Sequence, residues 1–166
     1  GCGALRIARS APTARVVSIE FSAANAGVAQ RIWEHAGVAD RITCVVGTLG
    51  DGGATLDTLA TEHGFSPGCL DLLFIDHDKR AYLSDLLSVL DRRWLHPGSI
   101  VVADNVRVPG APKYRAYMRD LQGTPRAMLT VARPAQRATL DLAVGRIPVR
   151  AFFLLVAGSL VVLSVF

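Results

Sequence analysis

Two acidic residues and one amide stand at the ends of apolar runs in this sequence. Asp76 falls near the end of "LDLLFIDH", and Asp104 with Asn105 ends "SIVVADN". Because neighbouring parallel strands lie about 4.8 Å apart, side chains that leave their ends can converge on one small ion. Three oxygen ligands with no His or Cys among them favour Mg²⁺. The pattern therefore predicts a magnesium site formed by Asp76, Asp104 and Asn105.

Lys79 follows Asp76 by three residues, close enough for its ammonium to reach the same cleft. A lysine that is partly desolvated beside a divalent cation can have its pKa lowered and serve as a general base. Each residue alone has an ordinary alternative. An acidic residue after a strand often caps a helix, Asp-Asn is a common turn pair, and a lysine at a helix start is usually solvated. The combination favours a catalytic site.

Glu20 lies near the end of another apolar run, "VVSIEF". In nucleotide-binding folds, an acidic residue about 20 residues beyond a glycine-rich turn binds the ribose hydroxyls. Gly1 and Gly3 are interpreted as the remainder of such a turn. This position matches a ribose contact of a nucleotide-like cofactor, but a single Glu at the end of a strand is weak evidence by itself.

The elements that must position these residues alternate between strand and helix patterns. Short aliphatic runs at residues 16–21, 42–47, 70–77 and 99–105 predict buried parallel strands, and residues 23–35, 55–63 and 81–93 have helical spacing. This alternation predicts an α/β fold with a Rossmann-like, doubly wound and mostly parallel sheet. Ligands of such sheets bind at the carboxyl ends of the strands, where the polar residues stand.

The composition excludes several classes of protein. Hydrophobic residues make up 51% of the chain and charged residues 19%, which argues against disorder. Residues 1–122 hold 13 basic and 13 acidic side chains, so the net charge of +4 comes from residues 123–166, where five Arg oppose Asp141. A basic balance confined to a tail is poor evidence for nucleic-acid binding. Three cysteines without paired spacing predict buried, reduced thiols and a cytoplasmic protein.

The character of the sequence changes after residue 122. Residues 1–122 are predicted to form one partial domain, and residues 123–166 a divergent tail that is first basic and then hydrophobic. The last sixteen residues, "AFFLLVAGSLVVLSVF", carry no charge. A bilayer-spanning helix needs about 20 apolar residues and at least ~17. A terminal helix or strand packed on the domain, or a tail foreign to it, is therefore preferred to a membrane anchor, although membrane contact through residues 151–166 stays open.

Residues 3–122 resemble the catechol O-methyltransferase family, the Mg²⁺-dependent enzymes that use S-adenosylmethionine. The matching stretches include "VVSIEF", "EHAGVADRITCVVGTLGD", "LDLLFIDHDKRAYLSDL" and "LHPGSIVVADNV", in the family's order and approximate spacing. The resemblance implies methyl transfer to a small catechol or phenol. It also implies that the family's first strand would lie upstream of Gly1, and that its usual C-terminal strands are missing from the tail.

Carried over by position, the resemblance implies a role for each matching residue. Asp76, Asp104 and Asn105 would hold Mg²⁺, and Lys79 would take the proton from the reacting hydroxyl. The other implied contacts are with the cofactor for Gly3, Glu20, Phe21, Thr48, Leu49, Asp76 and His77, and with the substrate for Lys79, Asn105 and Pro109. Two alternatives remain: a non-catalytic fragment that keeps the fold without a complete site, and a nicotinamide-dependent oxidoreductase. The oxidoreductase ranks last, because hydride transfer has no use for the three oxygen ligands.

Overall fold

The computed structural model describes the backbone of residues 2–122, 130–131, 152–157 and 160–163, and the side chains of residues 2–120. Four strands confirm the predicted apolar runs, and the last of them begins four residues earlier than predicted. They are β1 (Arg15–Glu20), β2 (Ile42–Val46), β3 (Leu70–Asp76) and β4 (Leu95–Ala103). Each is followed by a polar stretch at the same edge of the sheet, because β1 pairs parallel with β2 and β3 pairs parallel with β4.

Five helices accompany these strands: α1 (Cys2–Ser10), α2 (Ala23–His35), α3 (Ala54–His63), α4 (Tyr82–Asp91) and α5 (Pro112–Gln122). The sequence predicted α2, α3 and α4 but missed α1 and α5. Gly3 lies in the first turn of α1 and not in a glycine-rich turn before a helix. Residues 2–10 form a helix because the residues that follow Gly3 give it an apolar face, on which Ala4, Ile7 and Ala8 are buried.

The two faces of the sheet carry separate hydrophobic cores, as a doubly wound fold requires. One core joins Leu59 of α3, Leu86 of α4 and Met118 of α5 to the sheet. The other joins Ile7 of α1 and Trp33 of α2 to the opposite face. Helices therefore cover both faces, and the predicted Rossmann-like α/β class is confirmed.

Three further strands come from the predicted tail: β5 (Thr130–Val131), β6 (Phe152–Ala157) and β7 (Leu160–Leu163). The sheet order is β2-β1-β6-β7-β3-β4-β5, with β6 parallel to both β1 and β3 and β7 antiparallel to both. The apolar terminal run thus lies between β1 and β3. Most of residues 123–150, Asp141 included, lie outside the described part of the chain, as does Gly1.

In the ranges that the structure describes, every helix is too short or too polar to cross a bilayer. The described parts of residues 151–166 are strands paired within the sheet. Of the alternatives raised by the sequence, this arrangement matches a terminal strand packed on the domain. Helix α5 ends at Gln122, where the composition changes; the division into two parts at that point stays a prediction.

Candidate functional site

The parallel pairing of β3 and β4 brings the two predicted carboxylate ligands to one edge of the sheet. Ile75 pairs with Ala103 in the register of these strands. Asp76 and Asp104 are the residues that directly follow this pair, Asp76 as the last residue of β3 and Asp104 just after β4. The predicted convergence of these two positions therefore follows from the backbone pairing. The two side chains are also close enough to interact electrostatically, because the negative charge of Asp104 raises the pKa of the Asp76 carboxyl group.

Lys79 joins this edge through a short chain of hydrogen bonds. Its Nζ lies 2.9 Å from Oδ1 of Asp76 and 2.6 Å from the hydroxyl oxygen of Tyr82. The Tyr82 hydroxyl in turn donates to the main-chain oxygen of Asp104 at 3.0 Å. The Lys79 side chain is only 17% exposed. The predicted general base therefore lies in contact with one candidate ligand and one hydroxyl group away from the other.

Burial and neighbouring charges shift the pKa of two groups in this cluster. Burial raises the pKa of Asp76, the Lys79 ammonium partly offsets that effect, and the charge of Asp104 raises it again. The pKa of Tyr82 is raised far above its ordinary value, first by burial and then by the negative charges of Asp76 and Asp104. Two carboxylates that share a poorly solvated edge repel each other, and a cation between them would relieve that repulsion.

The donor atoms present fit a hard divalent cation. The described contacts engage Oδ1 of Asp76 with Lys79 and Oδ1 of Asp104 with the main-chain N–H of Asn105, which donates to it at 2.6 Å. In the part of the chain described here, Oδ2 of both carboxylates accepts no hydrogen bond. No three His, Cys, Asp or Glu side chains gather within the described ranges. The predicted ligand set is not a group of that kind, because it consists of two carboxylates and one side-chain amide. Its donor atoms are all oxygens, as Mg²⁺ prefers.

Asn105 has a backbone that turns the chain sharply after β4. Its φ of 53° and ψ of 30° lie in the left-handed region, which Asn tolerates better than most residues. Its carbonyl accepts a 3.2 Å hydrogen bond from the amide of Gly110, which closes the loop that follows. This loop, Val106–Gly110, carries Pro109 and the 79%-exposed Val108. The predicted substrate wall is therefore next to the predicted ligand Asn105.

His77 points away from this edge and into the layer formed by α4. Its Nε2 lies 2.6 Å from Oδ2 of Asp85, and both side chains are buried, at 14% and 6% exposure. The two atoms are close, but the direction of approach does not give His77 a regular hydrogen bond through either ring nitrogen. The contact brings the imidazole and the carboxylate together, and it links the segment between Asp76 and Lys79 to helix α4.

Asp78, the remaining charged residue of this segment, faces solvent. It accepts a forked pair of hydrogen bonds from Arg80, with the shortest contact at 2.8 Å. Hydrogen bonds from Arg80 lower the pKa of Asp78 to about 2. Four polar residues end the β3 segment, and the structure divides them: Asp76 and Lys79 lie at the sheet edge, His77 packs inward, and Asp78 points outward.

The residues assigned to the cofactor lie at the ends of β1 and β2. Glu20 ends β1, is 4% exposed, and accepts a 3.0 Å hydrogen bond from the amide of Ser22. Phe21, the next residue, is 69% exposed at the same edge. Beyond β2, Thr48 is exposed, whereas Leu49 is buried in the core that faces α3 and α4. Gly47 donates its amide to the carbonyl of Glu20 at 3.0 Å, which brings the two strand ends together.

Sequence reasoning missed two residues of the candidate site, Tyr82 and Asp85. Both lie on the buried face of α4, with Leu86 and Val89 at helical spacing. The signal was present, because an acidic residue among the apolar positions of a helix needs a partner when it is buried. The sequence could not identify that partner, since the contact depends on how α4 packs beneath the end of β3.

A family model described as O-methyltransferase matches residues 1–114. A Mycobacterium tuberculosis protein named "Probable O-methyltransferase Rv1703c" is 74% identical over 123 residues, which cover 74% of this chain and 52% of that protein. Catechol O-methyltransferase of Sus scrofa is 38% identical over 120 residues, covering 72% of this chain and 62% of the pig protein. The chain thus spans between half and two thirds of the length of these relatives.

Among solved structures, that of the Podospora anserina methyltransferase PaMTH1 bound to SAH covers 93% of this chain and 62% of its own. Its sequence identity to this chain is 21%, and the TM-score is 0.47.

Proposed function

This chain belongs to the O-methyltransferase family, and we propose that it transfers a methyl group from S-adenosylmethionine to a hydroxyl of a catechol or related vicinal diphenol. The observation that carries the proposal is the contact of Lys79 with Asp76 and, through Tyr82, with Asp104 at the exits of two paired strands. The two catechol O-methyltransferases of pig and Mycobacterium tuberculosis, 38% and 39% identical to this chain, support the substrate class.

Asp76, Asp104 and Asn105 would hold Mg²⁺ in this enzyme. When bound there, the ion would acidify the hydroxyls of a chelated diphenol and orient one of them. The side chains fit this task because both carboxylates keep an oxygen that accepts no hydrogen bond within the described part of the chain. The repulsion between Asp76 and Asp104 gives the site a further affinity for positive charge.

Lys79 would accept the proton of the reacting hydroxyl on Nζ. The phenolic oxygen then forms a bond to the methyl carbon while the S–CH3 bond breaks, and the bonding pair goes to sulfur to leave S-adenosylhomocysteine. An anionic nucleophile and a cationic sulfonium are both neutralised in this step. A cleft that excludes water and aligns the two reactants would therefore accelerate it.

The cofactor would lie across the ends of β1, β2 and β3. We assign its ribose to Glu20, its adenine to Thr48 and Leu49, and its methionine portion to the segment of Asp76 and His77. The exposed ring of Phe21 at the end of β1 offers an apolar surface for the same ligand. Gly3 would approach it from the first turn of α1, and Pro109 would form a wall against the aromatic ring of the substrate.

The test is methyl transfer by the full chain from radiolabelled S-adenosylmethionine to catechol, with Mg²⁺ and with EDTA. We expect transfer only with Mg²⁺, and a loss of about 100-fold or more in Asp76→Asn, because the site loses one of its two carboxylates. Asp78→Asn is the matched control, since it removes an exposed carboxylate two residues away and should keep full activity. No transfer by a folded wild-type chain would favour the non-catalytic fragment and overturn the proposal.

A further inference from the structure

Tyr82 is the one buried hydroxyl in the described ranges that contacts Lys79. The side chain begins helix α4 with none of its surface exposed, and its oxygen lies between Nζ of Lys79 and the main-chain oxygen of Asp104. The Lys79 nitrogen also lies 4.8 Å from the centre of the Tyr82 ring. The lysine therefore has both an oxygen acceptor and an aromatic face on the same side chain.

The direction of these hydrogen bonds is fixed by the chemistry of the partners. A main-chain carbonyl can only accept, so the single hydrogen of the Tyr82 hydroxyl is directed at Asp104. The Tyr82 oxygen must then accept from Lys79. The Asp76 carboxylate accepts the second bond, which occupies two of the three tetrahedral positions on Nζ. One position on Nζ remains for a reacting group.

We propose that the Tyr82 hydroxyl is the positioning group for Lys79, which holds the amine so that its remaining position faces the reacting hydroxyl. The inference rests on the proposed function, in which Lys79 accepts the substrate proton. It adds a residue that acts through its contact with Lys79. It also joins the base to β4, because the same hydroxyl contacts the main chain of the ligand Asp104.

Tyr114 provides a matched control for this hydroxyl. Its ring packs edge-on against that of Tyr82 with centroids 5.7 Å apart, and it is similarly buried. Its hydroxyl, however, has no hydrogen-bond partner in the part of the chain that the structure describes. Tyr82→Phe and Tyr114→Phe therefore each delete one buried oxygen from the same aromatic cluster, but only the first deletes a contact with Lys79.

The first measurement needs neither activity nor metal. The chain has only two lysines, Lys79 and Lys113, and Lys113 is exposed on α5. Lysine labelled with ¹³C at the ε position therefore gives two side-chain signals by NMR, which Lys113→Arg assigns. We expect the two ε protons of Lys79 to be inequivalent in the wild type and to merge in Tyr82→Phe. Tyr114→Phe should leave both lysine signals unchanged.

The second measurement is kinetic. Tyr82→Phe should lower kcat about 10- to 100-fold, as expected for the loss of a buried hydrogen bond to the base, with the Kd for S-adenosylmethionine within twofold. In a Lys79→Met background, adding Tyr82→Phe should cause no further loss, because the two residues act as one unit. A merely structural hydroxyl would lower activity in both backgrounds.

The outcomes distinguish the role of Lys79 as the base from the role of Tyr82 as its positioning group. If Lys79→Met retains wild-type activity, Lys79 is not the base and that part of the proposed function fails. If Lys79→Met is inactive but Tyr82→Phe retains wild-type kcat and unchanged lysine signals, only the positioning role is overturned. An equal effect of Tyr114→Phe on the Lys79 signal would overturn it too, since the effect would then come from ring packing.

Discussion

The main-chain amide of Asp104 donates a 2.9 Å hydrogen bond to the carbonyl of Ile75, the residue before Asp76. The two candidate metal ligands are therefore placed relative to each other by the backbone of the sheet, not by flexible side chains. Sites built on paired strands hold their geometry better than sites on loops. Asn105 follows Asp104 immediately, beyond the end of β4, and its backbone is in the left-handed conformation.

Lys79→Arg tests the proposed base without removing its charge. A guanidinium stays protonated at all accessible pH values and cannot accept a proton, so kcat should fall about 100-fold or more. The Kd for S-adenosylmethionine, measured by calorimetry, should stay within twofold. Lys113→Arg, the same change at the exposed second lysine, should keep wild-type kcat. Wild-type kcat in Lys79→Arg would contradict the assignment.

The buried pair of Asp85 and His77 should contribute to stability. Asp85→Ala leaves the largely buried imidazole without its carboxylate partner, and the loss of such a partner costs about 1 to 3 kcal/mol. Urea denaturation should show that loss in the free energy of unfolding. Arg80→Ala removes an ion pair in which the arginine is 91% exposed, and should leave the unfolding midpoint unchanged. Equal midpoints for the two variants would show that Asp85 contributes nothing.

The sequence predicted those elements whose pattern depends on local chemistry. Four aliphatic runs ending in polar residues became β1 to β4, and the pairing of β3 with β4 brought Asp76 and Asp104 together as expected. Helix α1 was missed because Gly1 and Gly3 were interpreted as the remainder of a glycine-rich turn. Helix α5 was missed because it begins at Pro112, directly after a loop, and its polar residues obscure its buried positions.

The remaining differences arise from contacts between distant parts of the chain. Periodicity could not show that Tyr82 lies between Lys79 and Asp104, because that contact depends on the packing of α4 against the end of β4. It could not show that β6 lies between β1 and β3 either, since strand order is a tertiary property. The cysteines illustrate the same limit: the prediction of three buried thiols is wrong for Cys2, which is exposed, and Cys44 and Cys69 are only half-buried.

Asp51 should give stability that depends on pH. Its carboxylate accepts hydrogen bonds from the amide of Gly53 at 3.1 Å and from the amide of Thr55 at 3.0 Å, at the start of α3. Slight burial raises its pKa, but the hydrogen bonds from Thr55 and Gly53 together outweigh that effect and lower the pKa. The stabilisation is therefore present above the ordinary carboxyl pKa of about 4, and is lost as the pH falls through the lower folded pKa.

Asp51→Ala is accordingly expected to cost about 1 kcal/mol at pH 7, a typical value for a side chain that accepts a hydrogen bond from an amide in the first turn of a helix. The difference from wild type in urea unfolding should shrink as the pH is lowered to 3. Asp51→Asn keeps an oxygen acceptor without a charge, so its own contribution should not change over that range. A difference between wild type and Asp51→Ala that stays constant from pH 7 to pH 3 would refute the assignment.

The three cysteines should differ in their reactivity. Burial raises the pKa of Cys44 to about 11, aided by the charge of Glu20, and burial also raises that of Cys69 to about 11. Since the thiolate is the reactive form, iodoacetamide at pH 8 should label the folded chain once, at the exposed Cys2. Mass spectrometry should find one adduct on the folded chain and three after denaturation. Cys2→Ser should remove the fast adduct, and persistence of that adduct would disprove the ranking.

Strand β6 should be essential to the sheet, because it is paired on both sides. Leu154 of β6 pairs with Val17 of β1 and with Leu163 of β7 in the register of the sheet. Proline at this position removes an amide donor from the interior of the sheet and cannot adopt the required backbone without loss of pairing. Leu154→Pro should therefore unfold or aggregate the chain, as measured by circular dichroism and size-exclusion chromatography.

Thr130→Pro is the control, because Thr130 lies in β5 at the outer edge of the same sheet, and this variant should be tolerated. A folded Leu154→Pro chain with a wild-type unfolding midpoint would show that β6 does not support the sheet.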